Sequence, residues 1–69
     1  MGEQVTAGPW EHRSGEHVRM DAHGFWIALV SPTGWSVVLN GRLHGRDETG
    51  QAGRDAADAA LRAAGVVLL

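Results

Sequence analysis

The 69-residue chain has no cysteine and no lysine, and only two prolines. Without cysteine, neither a disulfide nor a thiolate zinc site can staple the fold. A domain of this size buries only about 60% of its unfolded surface and ordinarily needs such a staple or a partner subunit. That leaves tight packing or self-association. No segment approaches the roughly 20 apolar residues of a membrane span, so no membrane partner is expected. Residues 1–9 carry neither a basic start nor an apolar run, so no secretion signal is read there, and a cytoplasmic protein is expected. Acidic residues are also missing from one stretch. Residues 25–46 hold Arg42 and Arg46 and no acid, a net charge of +2, between flanks that each carry −2. A basic centre between acidic ends focuses attention on the middle of the chain.

What is present reads as strands followed by a helix. Residues 1–9 are polar and contain glycine and proline, so a flexible tail is expected, with Trp10 as its anchor and a single domain over residues 10–69. Glu16–Met20 is a first strand, and residues 21–24 form a loop. Phe25–Val30 is a strand by composition. Ser31-Pro-Thr-Gly34 is a turn, and Trp35–Leu39 is a third strand. Asn40-Gly41 is the strongest short hairpin signal, since a type I′ turn requires positive φ at both central residues; it leads into a fourth strand, Arg42–Arg46. From a Thr49 cap, the stripe Gly53, Ala57, Ala60, Ala64, with Ala56 and Leu61 beside it, follows helical spacing. Gln51, Asp55, Asp58 and Arg62 mark a wet face, with Asp58 and Arg62 as an i,i+4 pair. Gly65 stops the helix. Val66–Leu69 is apolar enough to pack back on the core or add a short edge strand.

The turns sort the strands into two faces, because directly opposed residues share a face. A two-residue turn at 40–41 pairs Leu39 with Arg42, Val38 with Leu43 and Val37 with His44. A loop at 31–34 pairs Val30 with Trp35, Leu29 with Ser36 and Ile27 with Val38. A loop at 21–24 pairs Met20 with Phe25 and Val18 with Ile27. One face then holds Val18, Met20, Phe25, Ile27, Leu29, Val38 and Leu43, with Ser36 and Gly45, and none of these is charged, which marks it for the helix. The other holds His17, Arg19, Trp26, Ala28, Val30, Trp35, Val37, Leu39, Arg42, His44 and Arg46 and no acid. One helix covers one face, so this second face is expected to be open. Its partner-binding residues are then Arg19, Trp26, Trp35, Val37, Leu39, Arg42, His44 and Arg46. Tryptophan and arginine are enriched at binding hot spots, and Val37 and Leu39 suit a protein surface. The same mixture of arginine and tryptophan is also one way to bind single-stranded nucleic acid.

Catalytic and metal chemistry find no pattern here. His12, His17 and His23 are spaced five and six residues apart, unlike known ligand spacings. His17 and His44 share a face, but on the first and fourth predicted strands, roughly 14 Å apart at about 4.8 Å per strand. Asp47-Glu48 precedes a helix, where acids favourably meet the dipole. Gly50-Gln-Ala-Gly53 lacks the length and the Lys-Ser/Thr of a phosphate loop. No catalytic residue, metal or cofactor is expected.

Trp35-Ser-Val-Val-Leu-Asn-Gly-Arg-Leu-His-Gly, followed by Thr49-Gly-Gln-Ala-Gly-Arg-Asp-Ala-Ala-Asp-Ala-Ala-Leu61, resembles small phage and prophage proteins with a tryptophan-led strand, an Asn/Asp-Gly turn, a second strand and an alanine-rich helix opened by threonine. The resemblance covers about half the chain. It implies phage origin, the host bacterial cytoplasm, and a role in binding a host component. The same half is similar to the C-terminal part of double-stranded RNA-binding domains, although the family's lysine pair would fall near Gln51-Ala52-Gly53. The AP2-like arm-binding domains of phage integrases resemble it in architecture.

The expectation is therefore an α+β domain: an antiparallel meander of three or four strands with one C-terminal alanine-rich helix on one face. Its function is expected to be non-enzymatic binding of a host protein or of its own copy, as a homodimer, through the Trp/Arg face. A nucleic-acid-binding module using that face is the alternative.

Overall fold

A computed structural model describes residues 4–69 of the protein. It has seven strands and one helix in the order β1 (Thr6–Ala7), β2 (Glu11–Arg13), β3 (Glu16–Met20), β4 (Trp26–Ser31), β5 (Gly34–Leu39), β6 (Arg42–Arg46), α1 (Gly50–Ala63) and β7 (Val67–Leu68). Strands β2 to β6 form an antiparallel sheet in chain order, and β1 pairs with β7 in parallel as a separate two-stranded ribbon. The α+β class, the meander and the helix on one sheet face are as expected. The sheet gains a strand, β2, because Ser14-Gly15 turns the chain with both residues at positive φ.

The expected tail is tied down along much of its length. Thr6 and Ala7 pair with Val67 and Leu68, the Val67 amide donates to the Val5 carbonyl at 2.9 Å, and the Gly8 amide donates to the Met20 carbonyl at 2.8 Å. Ala7 is fully buried. Residues 1–3 of that predicted tail lie outside the described residues.

Asn40 and Gly41 have φ of 53° and 75°, as a type I′ turn demands. The β5–β6 register runs from Leu39 opposite Arg42 to Trp35 opposite Arg46, as the two-residue turn dictates. The β4–β5 register keeps Val30 opposite Trp35 and Leu29 opposite Ser36. The β3–β4 register departs from expectation. Val18 faces Leu29 and Met20 faces Trp26, with an irregularity between Arg19 and Met20. Arg19 pairs with Ala28, so Ile27 is an extra residue on β4, a β-bulge. The Asp21 carboxylate accepts the amides of His23 and Phe25, which builds the preceding loop as an Asx turn. The bulge turns Ile27 into the core and moves Trp26 to the face of Met20.

The helix lies on the opposite face from the one expected. It packs over β4 and β5. Its buried residues are Gly53, Ala57 and Leu61, and beneath them Ala28, Val30 and Val37 are at most 2% exposed. Ile27 and Val66 complete this core, with Trp10, Trp35 and Leu39 packed against it. The small helix residues let the backbones approach closely. A methyl group on Gly53 would stand 2.8 Å from Val30 Cγ1 and 2.7 Å from the Glu48 carbonyl oxygen. Each fully buried side chain such as Leu61 or Val37 contributes about 1.5–3 kcal/mol. The helix ends where Gly65 adopts a φ of 84° and the Val66 amide reaches back to the Leu61 carbonyl at 3.0 Å, a Schellman-type stop. Thr49 occupies the N-cap position but makes no side-chain capping bond.

Candidate functional site

The eight residues predicted as a binding surface are divided among four environments. Arg19 and Val37 are inside the fold, at 6% and 0% exposure, and offer nothing to a partner. The Arg19 guanidinium donates from Nε to Asp58 Oδ1 at 3.0 Å and from Nη2 to Asp58 Oδ2 at 3.3 Å. Its Nη1 donates to the Gly8 carbonyl at 2.7 Å and to the Leu69 main-chain oxygen at 3.1 Å. The Trp10 ring lies 5.0 Å from the guanidinium carbon, and its indole N–H donates to Asp58 Oδ2 at 3.4 Å. Arginine is buried here because a carboxylate and two carbonyls meet its donors and an aromatic ring covers it. The result is a structural clamp joining β3, α1 and both ends of the described chain. Asp58, expected on the wet face with Arg62, turns instead to Arg19.

Trp35 and Leu39 form the second group. Both are partly buried against the core. The Trp35 indole N–H donates to Glu48 Oε1 at 2.7 Å. That bond is the largest cause holding the Glu48 carboxyl below its ordinary value, followed by a main-chain hydrogen bond, with a smaller contribution from Arg46.

Arg42, His44 and Arg46 form the third group. They lie on β6, which is the outermost strand and exposed at all five positions. Their side chains alternate on the helix side of the sheet, at the registers of Leu39, Val37 and Trp35, beyond the strands that α1 covers. Trp26, the eighth residue, is on the other face because of the bulge. The structure does not bring Trp26 together with Arg42 and Arg46.

The face left uncovered by α1 carries the side chains expected to be the core. Val18, Met20, Leu29 and Val38 are half-buried there by one another, while Trp26 and Leu43 stand out at 42% and 67% exposure. Phe25, at the mouth of the β3–β4 loop, is 71% exposed. Charge lies at the margins: on the β2 side Arg13 donates from Nε and Nη2 to Glu11 Oε1 at 3.1 and 2.7 Å and Glu16 faces Arg13 across the strands, and past the end of β6 Asp47 borders the face. Toward β6 the side chains shrink to Ser31, Ser36 and Gly45. With Gly34 and Leu43 they line a shallow hollow of about 360 Å³.

His12 and His17 pair across β2 and β3, their rings stacked at 4.6 Å and 19°. Partial burial of His17, then the charge of Arg54, then His12 push its pKa below the ordinary value. A cationic neighbour and two histidines do not make an electrostatically favourable cation site. Among the described residues, no three histidine or carboxylate side chains gather as metal ligands, and no helix is long and apolar enough to cross a membrane.

The sequence signals that were missed are specific. Asp58 borders the small-residue stripe and needs a cation from the facing sheet. Arg19 is the cation that meets it. The extra residue on β4 leaves no composition signal, since Trp-Ile-Ala-Leu-Val reads as an unbroken strand.

No protein-family profile, no curated protein and no solved structure matches this chain.

Proposed function

We propose that this chain is a non-enzymatic binding module whose working surface is the sheet face not covered by α1. One observation carries the reading: Trp26 and Leu43 project from a half-buried apolar floor of Val18, Met20, Leu29 and Val38, with charges at its margins. A solvated sheet face ordinarily alternates polar residues outward. An apolar centre with a polar margin is the anatomy of a protein interface, and exposed aromatics of this kind anchor partners. The occupant is a protein, either another chain or a second copy of this one. The resemblance of residues 35–61 to small phage and prophage proteins supports seeking that other chain in a bacterial host.

The test compares wild type with a Trp26→Ser/Leu43→Ser variant. These side chains lie outside the core, so the variant is expected to remain folded, which circular dichroism checks. Light scattering over a concentration series reads self-association, and affinity capture from a bacterial lysate reads other partners. Loss of dimer or of captured protein in the variant supports the reading. A wild type that stays monomeric and captures the same proteins as the variant overturns it.

A further inference from the structure

The two edges of the five-stranded sheet are unlike. Strand β2 is three residues long, and short charged edges discourage further pairing. Strand β6 is five residues long, exposed throughout, and contains neither proline nor bulge. Its hydrogen-bonding pattern follows from its turn. In a two-residue hairpin the residues flanking the turn exchange both main-chain bonds, and such pairs alternate along the ladder. Arg42, His44 and Arg46 therefore turn their N–H and C=O groups to β5. Leu43 and Gly45 turn theirs to open solvent.

Charge decides what can pair there. A second copy adding antiparallel about His44 would set Arg42 against the other copy's Arg46 and the reverse. Like charges directly opposite destabilise a ladder. An acidic strand meets the opposite situation. Residues opposite Arg42, His44 and Arg46 would form the pairs without mutual hydrogen bonds, the geometry in which opposed side chains come closest. The residues between them would project to the uncovered face, opposite Leu43 and Gly45. Gly45 lines the hollow with Ser36 and Leu43, a Cβ on it would run into the Trp35 carbonyl oxygen, and an aromatic ring on the next strand can cover such an edge glycine.

We propose that the open edge of β6 accepts an extended acidic peptide as a sixth, antiparallel strand, with carboxylates opposite Arg42, His44 and Arg46 and an aromatic side chain opposite Gly45. This is strand addition, in which main-chain bonds supply affinity and alternate side chains supply specificity. It shares Leu43 with the face of Trp26, but its main-chain bonds and charge selectivity belong to the β6 edge, and it stands whether or not that face has a partner.

The probe is a capped, fluorescently labelled peptide with the core Glu-Phe-Glu-Val-Glu, read by anisotropy against the full chain at low salt. Binding is expected to weaken at least about tenfold in Arg42→Glu/Arg46→Glu, and that variant is expected to prefer Lys-Phe-Lys-Val-Lys. N-methylation of the phenylalanine and valine amides, which would bond to Gly45 and Leu43, is expected to abolish binding. N-methylation of the central glutamate amide is expected to be tolerated. The Trp26→Ser/Leu43→Ser variant is expected to lose the apolar contact at Leu43 and keep the charge selectivity. No binding at low salt overturns the proposal. So does binding that is indifferent to which amides are methylated, or that is matched by a peptide with its three glutamates contiguous, because those outcomes describe a diffuse charge contact.

Discussion

Arg19 and Asp58 form an ion pair, Nε to Oδ1 at 3.0 Å, with side chains only 7% and 16% exposed. The pair joins the helix to β3, the second strand of the five-stranded sheet. Removing one member leaves the other desolvated and uncompensated, at a cost of about 3–5 kcal/mol. Asp58→Ala is therefore expected to unfold at markedly lower denaturant, as is Arg19→Ala. Replacing both with apolar residues, as Arg19→Met with Asp58→Leu, is expected to recover much of the loss, because neither buried charge remains. Urea titrations of the three variants check this; additive losses in the double variant would contradict it.

Val37 and Val38 are neighbours in sequence on opposite faces of β5. Val37→Asp places a carboxylate beneath α1, where Val37 is 0% exposed, and is expected to cost more than about 4 kcal/mol. Val38→Asp places it on the uncovered face and is expected to cost about 1 kcal/mol or less. Thermal unfolding of both variants tests the face assignment directly. The reverse order would put the helix on the other side of the sheet.

Gly53→Ala tests the closeness of helix and sheet. Alanine favours a helix by about 1 kcal/mol over glycine, but the added methyl would meet Val30 and the Glu48 carbonyl at under 3 Å, an overlap that costs about 1–3 kcal/mol. The substitution is expected to lower the melting temperature. Gly15→Ala, where no atom stands within 4 Å, is expected to be destabilised by its positive φ alone, without the packing penalty.

Acid is expected to weaken the fold at two sites. His17 has a lowered pKa in the folded state, so the unfolded chain takes up its proton first. Its contribution is fully present above 6.5 and is lost as pH falls through the lowered folded value. Glu48 is also lowered, and its contribution is present above 4.5 and lost as pH falls through its folded value. Trp35→Phe removes the largest cause at Glu48 and is expected to raise its titration midpoint toward 4.5. Arg54→Gln is expected to raise that of His17 part of the way, since partial burial and His12 remain. Proton-resolved NMR titration of the two side chains reads both shifts.

Much of the fold was legible because its punctuation is local. Asn40-Gly41 fixes the β5–β6 register through the backbone angles it permits, and Gly65 ends the helix in the same way. The sorting of most side chains into two faces also followed from these turns. Which face the helix covers did not follow, because it depends on a contact between residues 39 positions apart. Arginine on a face was read as solvent exposure, whereas Asp58, two main-chain oxygens and Trp10 together replace its water. The position of Trp26 was illegible for a different reason. One additional residue in β4 reverses everything before it, and a β-bulge here leaves no glycine or proline to mark it. The candidate site consequently moved to the opposite face, while Arg42, His44 and Arg46 stayed accessible at the edge.

The parallel pairing of β1 with β7 has a mechanical consequence. The two strands run side by side, Thr6 beside Val67 and Ala7 beside Leu68, so tension applied at residues 4 and 69 draws them past each other along their length. Their hydrogen bonds are loaded together in shear instead of opening one after another, and the Arg19 contacts to Gly8 and Leu69 share the load. Resistance to such pulling is set by the unfolding rate. In this chain, that resistance is concentrated where β1 and β7 meet.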